Sequence, residues 1–256
     1  FSPDGRRVML VDSDGTVRLW NARTAENEGQ LKAKAGSQAW LSPDGRLAFL
    51  AAQVWDIESD EAVSPGPLQP DIRSAAFSPD GGNLLTGSGN GTVRLWNLAG
   101  GVPPQPPFKH DEASVVAHTT ISEENAGATR PDQGEQVIFP SAEVRHAAFS
   151  ADGRQVVTVS GGLARVWDTA SGQAVTPYVT LNCSLESAAF SPDGTRFVTV
   201  GSKLPEQEGL ARVWEARTGR PLTPIIRFSA SWPEPSAGFS PDGRWIASGD
   251  RVGGVC

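Results

Sequence analysis

The side chains that could carry chemistry are few, and their spacing is poor for it. Three histidines stand at 110, 118 and 146, without the short regular intervals that bring ligands to one metal ion. Two cysteines, Cys183 and Cys256, make neither a disulfide framework nor a thiolate zinc site. Serines are plentiful, yet no Gly-x-Ser-x-Gly nucleophile elbow occurs. The run Gly87-Ser88-Gly89-Asn90-Gly91 has the glycines of a phosphate loop, but a β-branched segment follows it where such a loop needs a helix N-terminus. Asn90-Gly91 reads instead as a hairpin turn. Paired carboxylates for acid–base work would have to come from Asp4, Asp44, Asp80, Asp152, Asp193 and Asp242, and all six occupy the same place in a repeated tetrapeptide. They belong to the repeat rather than to one site. The residues therefore imply no catalytic group, no cofactor and no metal.

What positions these residues is the repeat itself. Ser2-Pro3-Asp4-Gly5 returns at Ser42, Ser78, Ser191 and Ser240, and as Ser150-Ala151-Asp152-Gly153. Ser caps the first position of a type I turn, Pro fixes φ at the second, Asp suits the third and Gly the exit. A small-apolar segment ending in an aromatic precedes the turn, as in Ala75-Ala76-Phe77, Ala147-Ala148-Phe149 and Ala188-Ala189-Phe190. A β-branched run follows it, and a third run ends in Trp plus a polar residue at Trp20-Asn21, Trp55-Asp56, Trp96-Asn97, Trp167-Asp168 and Trp214-Glu215. Short fourth segments, such as Gln173-Ala174-Val175 and Arg220-Pro221-Leu222, close the units. Four short strands joined by turns predict an antiparallel meander.

These units resemble WD repeats, the four-stranded blades of a β-propeller, over nearly the whole chain. The expected fold is all-β. One blade has two apolar faces and hides them by stacking on its neighbours, with Trp20, Trp55, Trp96, Trp167 and Trp214 as wedges between blades. The resemblance also implies a hydrogen-bond network joining the Trp, a second-strand Ser or Thr, a Gly-His imidazole and a turn Asp. Here Asp14 fits that last place, Asn90 half fits, and only His110 stands at a Gly-His position.

The residue before each turn falls at Phe1, Leu41, Phe77, Phe149, Phe190 and Phe239, at intervals of 40, 36, 72, 41 and 49. The doubled interval predicts a degenerate blade, for which Ser114 to His118 and Val137 to Phe139 offer strands. A long loop is the alternative. Seven units result, approximately 1–31, 32–66, 67–106, 107–140 (degenerate), 141–177, 178–225 and 226–256 (truncated). The first lacks its first strand and the last stops within its third, so the reading expects a piece of a longer protein with an open seam.

With 256 residues and a formal charge of −7, the chain lacks the clustered positive charge that nucleic acid demands. No apolar run approaches the roughly 20 residues of a membrane span, and no signal peptide is visible, which favours the cytoplasm. Eighteen Arg against four Lys give the sequence a bacterial cast.

Length variation points to a binding face. From the aromatic or Leu41 to the turn Gly is always four residues, whereas turn Gly to Trp runs 15, 10, 15, 14 and 20. The variable connections share one face, where loops on a rigid scaffold commonly bind. The candidates there are Phe108, Lys109, His110, Lys203, Glu206, Gln207 and Trp232. The expected function is a non-catalytic scaffold or sensor in signalling that binds a protein or peptide. The alternative is an accessory propeller of a larger enzyme, either a peptidase gate or the regulatory segment of a serine/threonine kinase.

Overall fold

A computed structural model of the chain describes residues 2, 5–32, 39–64, 68, 70–99, 108–109, 143–203, 208–229 and 235–249. Among them every regular element is a strand, and no helix is long and apolar enough to cross a membrane, which says nothing of β-barrels. The strands form six antiparallel sheets, each a meander in chain order. The first holds β1 (Arg7–Val11), β2 (Thr16–Asn21) and β3 (Asn27–Lys32). The second holds β4 (Ala39–Leu41), β5 (Leu47–Leu50), β6 (Gln53–Asp56) and β7 (Glu61–Ala62). The third comprises β8 (Ile72–Phe77), β9 (Asn83–Ser88), β10 (Thr92–Asn97) and β11 (Phe108–Lys109). The fourth comprises β12 (Val144–Phe149), β13 (Gln155–Ser160), β14 (Leu163–Asp168) and β15 (Val179–Thr180). The fifth is β16 (Ser184–Phe190), β17 (Arg196–Lys203), β18 (Glu208–Glu215) and β19 (Ile226–Ser229), and the sixth is β20 (Ser236–Phe239) with β21 (Ile246–Gly249).

Each turn closes as its residue types dictate. The Ser78 N–H donates to the Asn83 carbonyl (2.8 Å), the Ser78 hydroxyl to Asp80 Oδ1 (2.5 Å), and the Gly82 N–H to the same carboxylate oxygen (3.0 Å). The same bonds recur at Ser150–Asp152, Ser191–Asp193 and Ser240–Asp242 (2.5–2.6 Å). Asp4 lies outside the described residues.

The sheets bury their apolar faces against one another in chain order. Val17 and Leu19 meet Leu50 and Ile57 at the first seam, and Phe49 and Val54 meet Leu84 and Trp96 at the second. Val157 and Val166 meet Leu185 and Trp214 at the fourth, and Val198 and Val213 meet Phe239 and Ile246 at the fifth. Trp55, Trp96, Trp167 and Trp214 each pack on the preceding sheet. Full burial of such a side chain is worth about 2–3 kcal/mol. Trp20, in the first sheet, joins no core cluster among the described residues, and none of the five clusters joins the first sheet to the sixth.

The third seam corrects the expectation for 107–140. Leu85 and Val93 of the third sheet pack directly on Val144 and Trp167 of the fourth, and the Ser74 hydroxyl lies 3.5 Å from the Val144 carbonyl. A Cβ placed on Gly87 would fall 2.5 Å from Val144 Cγ1, and one on Gly153 would fall 3.5 Å from Pro79 Cδ in the neighbouring turn. Adjacent sheets in that contact leave no room for a blade between them. Residues 110–142 lie outside the described ones, while Phe108–Lys109 pair with Thr92–Val93 and complete the third sheet instead of opening a new unit.

Unit boundaries shift elsewhere for one physical reason. Ala174 and Pro221 make only isolated bridges to Trp167 and Trp214, and the fourth strands proper lie later, at Val179–Thr180 and Ile226–Ser229. Between bridge and strand stands Thr176-Pro177 or Thr223-Pro224. The Thr hydroxyl accepts the Val166 or Val213 N–H (3.1 Å each), and Pro offers no N–H to resume the ladder at once. Ser64 accepts the Val54 N–H in the same way (3.1 Å). The units expected at 141–177 and 178–225 therefore run on through residues 180 and 229.

Candidate functional site

Two faces of the stack differ in kind. On one, successive Ser-x-Asp-Gly turns touch across the seams. Arg7 Nη1 donates to the Asp44 carbonyl (3.2 Å), and Arg196 Nη2 to the Gly243 carbonyl (2.8 Å). On the other lie the second-to-third connections and the links between sheets. There Ala51-Ala52, Gly89 to Gly91 and Gly161-Gly162 all differ, and the start of β16 meets a connection where Leu185 N–H donates to the Gly161 carbonyl (3.0 Å).

The sequence candidates on that face are placed unevenly. Lys203 ends β17, paired across to Glu208 of β18. Phe108 and Lys109 are backbone-paired in β11, and their side chains lie outside the described residues, as do His110, Glu206, Gln207 and Trp232.

The implied internal network is partly present. Trp96, Trp167 and Trp214 donate their indole N–H to Thr86, Thr158 and Thr199 (2.8, 2.8 and 2.9 Å). The indole nitrogens of Trp20 and Trp55 are buried without a partner, because the matching second-strand positions are Leu10 and Leu50. Asp14 and Asn90 bond inside their own turns, to the N–H groups of Thr16 (2.9 Å) and Thr92 (3.1 Å).

Sequence reasoning missed one cluster. The first strands β8, β12 and β16 each carry a bulge, which leaves Arg73, Arg145 and Glu186 outside the regular register. With Asp71 and Glu143 they form a line of alternating charge across three sheets. Arg73 pairs with Asp71 (3.0 Å) and Glu143 (3.3 Å), and Arg145 pairs with Glu143 (3.7 Å) and Glu186 (2.9 Å). The line lies at the variable face, since the Gly89 N–H of the β9–β10 connection donates to the Asp71 carbonyl (2.9 Å). The legible signal was a charged residue just before each small-apolar segment, as in Arg73-Ser74-Ala75-Ala76, Arg145-His146-Ala147-Ala148 and Glu186-Ser187-Ala188-Ala189.

The titratable groups do structural work. His146 is wedged between β12 and β16, where its Nδ1 faces the Ala188 N–H (3.5 Å), and burial holds its pKa down to about 4. Burial, with the Glu186 charge adding to it, pushes the Cys183 thiol up to about 12, so no thiolate nucleophile stands there at neutral pH. The Ser191 hydroxyl, then the Thr195 N–H, lowers Asp193 to about 2. Among the described residues no group of three or more His, Cys, Asp or Glu could hold a metal ion.

Four-stranded meanders stacked in chain order, each entered through a Ser-x-Asp-Gly turn and wedged by a third-strand Trp, are propeller blades of the WD-repeat type. The chain carries repeats of that type. The family profile described as "WD domain, G-beta repeat" matches residues 1–21, 62–97 and 136–168. Apoptotic protease-activating factor 1 of Rattus norvegicus is 27% identical over 207 residues, covering 76% of this chain and 14% of that protein. Small ribosomal subunit protein RACK1 of Schizosaccharomyces pombe is 28% identical over 38% of this chain and 36% of its own. Protein groucho of Drosophila melanogaster is 28% identical over 68% of this chain and 27% of its own length. The chain thus spans well under half of each of these relatives. All three are eukaryotic and lend no support to a bacterial origin.

Proposed function

We propose that this chain is a non-catalytic platform that holds a protein or peptide partner on the face built from the second-to-third connections and the links between blades. The observation that carries the reading is the asymmetry of the stack. One face repeats the same turn, and those turns brace their neighbours, so changes there disturb the seams. The other face varies in length and residue type from blade to blade while the strands beneath it stay rigid. Relatives named as a subunit of the ribosome and of the target of rapamycin complex fit a role within assemblies. Lys203, Phe108, Lys109, His110, Glu206, Gln207 and Trp232 are the proposed contacts, with Trp232 as aromatic anchor.

The test is affinity capture with matched variants. Lys203→Glu combined with Trp232→Ala should lose a partner that the wild type retains, and Arg154→Glu combined with Arg244→Glu on the turn face should keep it. The opposite pattern, or equal recovery by all three proteins, refutes the face assignment.

A further inference from the structure

The β1–β2 and β9–β10 hairpins are near copies from their turns onward. Asp14-Gly15-Thr16-Val17-Arg18-Leu19-Trp20-Asn21 in the first sheet becomes Asn90-Gly91-Thr92-Val93-Arg94-Leu95-Trp96-Asn97 in the third, so that an amide replaces one carboxylate and nothing else changes. The two turns close alike. Gly15 N–H donates to the Asp12 carbonyl (3.0 Å) and Gly91 N–H to the Ser88 carbonyl (3.2 Å), with φ of 85° and 79° at the two glycines. Thr16 N–H donates to Asp14 Oδ1 (2.9 Å), as Thr92 N–H does to Asn90 Oδ1 (3.1 Å). Asp14 Oδ2 also accepts the Thr16 hydroxyl (3.0 Å), a bond in which an amide nitrogen cannot be the acceptor. The place where the third sheet carries an amide therefore suits a carboxylate equally well.

Asn90-Gly91 is the only Asn-Gly step in the chain. Glycine has no Cβ, so its main-chain nitrogen is open to the side-chain carbonyl of the asparagine before it. Asn90 is exposed, and the bond from Gly91 N–H to Ser88 is the longest that a turn glycine donates to a carbonyl among the described residues. Opening that one bond frees the nitrogen to react.

We infer that Asn90 is a self-modification site, at which the side-chain amide converts to a carboxylate and the variable face gains a negative charge. The Gly91 nitrogen, released from Ser88, attacks Asn90 Cγ and gives up its proton to water. Ammonia leaves, and a five-membered succinimide ring closes. Water then opens the ring. Cleavage between the Gly91 nitrogen and Cγ yields aspartate at position 90, and cleavage between that nitrogen and the main-chain carbonyl carbon yields the β-linked isomer. Water is the only co-reactant, and nothing is oxidised or reduced. The aspartate product keeps the turn through the bonds that Asp14 makes in the first sheet. The isomer lengthens the main chain by one carbon and displaces the Thr92 N–H from its acceptor. The inference holds whichever face a partner uses.

Ageing the full chain at pH 8 and 37 °C, with peptide masses and anion-exchange mobility followed over weeks, tests this. Conversion at Asn90 should outrun conversion at Asn21, Asn27, Asn83, Asn97 and Asn182 at least tenfold. The aged protein should develop a more acidic species that co-elutes with purified Asn90→Asp, and Asn90→Gln, which closes no five-membered ring, should lose most of that acidic shift. Asn90→Asp should melt no lower than wild type, since its turn takes the carboxylate as the first sheet does. Conversion at Asn90 no faster than at the other asparagines overturns the proposal, as does an acidic shift undiminished in Asn90→Gln. An Asn90→Asp protein that melts well below wild type overturns the claim that the turn accommodates the product. None of these outcomes bears on the capture experiment, which tests the platform reading separately.

Discussion

Acidification from pH 7.5 to about 4 should loosen the seam between the fourth and fifth sheets through one side chain. His146 stands on β12 with its Nδ1 turned to the Ala188 N–H of β16 at 3.5 Å, an arrangement that requires that nitrogen unprotonated. Burial holds its pKa at about 4, against 6.5 for the free side chain. The unfolded chain therefore takes up a proton between pH 6.5 and 4 that the folded chain refuses, and stability falls as pH drops through that window, then levels for this group. At about 1.4 kcal/mol per pH unit, the full effect is at most about 3 kcal/mol. The residue keeps some exposed surface, so about 2 kcal/mol is the better expectation. The flanking charges, Arg145 and Glu186, neutralise each other at 2.9 Å and leave the imidazole to dominate. Urea unfolding of wild type and His146→Ser, at pH 7.5 and at pH 4.2, measures it. Ser occupies the corresponding place in β8 and β16, as Ser74 and Ser187, so the variant should fold. It should lose about 2 kcal/mol less than wild type across the interval. Below pH 4 both proteins should weaken alike as turn carboxylates such as Asp193, held at about 2, take up protons. Identical pH slopes for the two proteins between 7.5 and 4.2 would refute the reasoning.

Further outcomes follow from single features. Ala51 and Ala52 turn the β5–β6 hairpin with φ of 50° and 63°, a left-handed geometry that Asn and Gly adopt more easily, so Ala51→Asn with Ala52→Gly should stabilise the protein by about 1–2 kcal/mol in urea melts. Thr158→Val removes the acceptor of the Trp167 indole and should cost about 1–2 kcal/mol, whereas Leu50→Val, beside an indole that already has no partner, should cost only its lost methylene, about 1 kcal/mol. Replacing residues 111–141 with a short Gly-Ser linker should change unfolding free energy by no more than about 1 kcal/mol, because the sheets on either side already share a core and loop closure depends weakly on length. A loss of several kcal/mol there would mean that the segment contributes packing of its own.

The blades were legible because their signals are local. A Ser-Pro-Asp-Gly turn, a β-branched run and a Trp ending specify themselves within a few residues, and their residue types force the same geometry wherever they occur. What depended on pairing between distant residues was not legible. The doubled interval between Phe77 and Phe149 looked like a hidden blade, because nothing in a sequence reports that Val144 rests on Gly87. Fourth strands were placed too early because Gln173-Ala174-Val175 and Arg220-Pro221-Leu222 follow the Trp at the right distance. The Thr-Pro steps that postpone the ladder were in plain view, but their effect depends on which N–H the hydroxyl meets. The charged line escaped for a similar reason. A bulge is a property of two strands in register, and Arg73, Arg145 and Glu186 become neighbours only once three sheets are stacked.

Amide hydrogen exchange of the chain, free and saturated with a captured partner, tests the central claim most directly. The account predicts new protection at the variable face, around residues 88–92, 160–163 and 181–186, with the Ser-x-Asp-Gly turns at 78–82, 150–154 and 191–195 unchanged. Protection confined to those turns would contradict it.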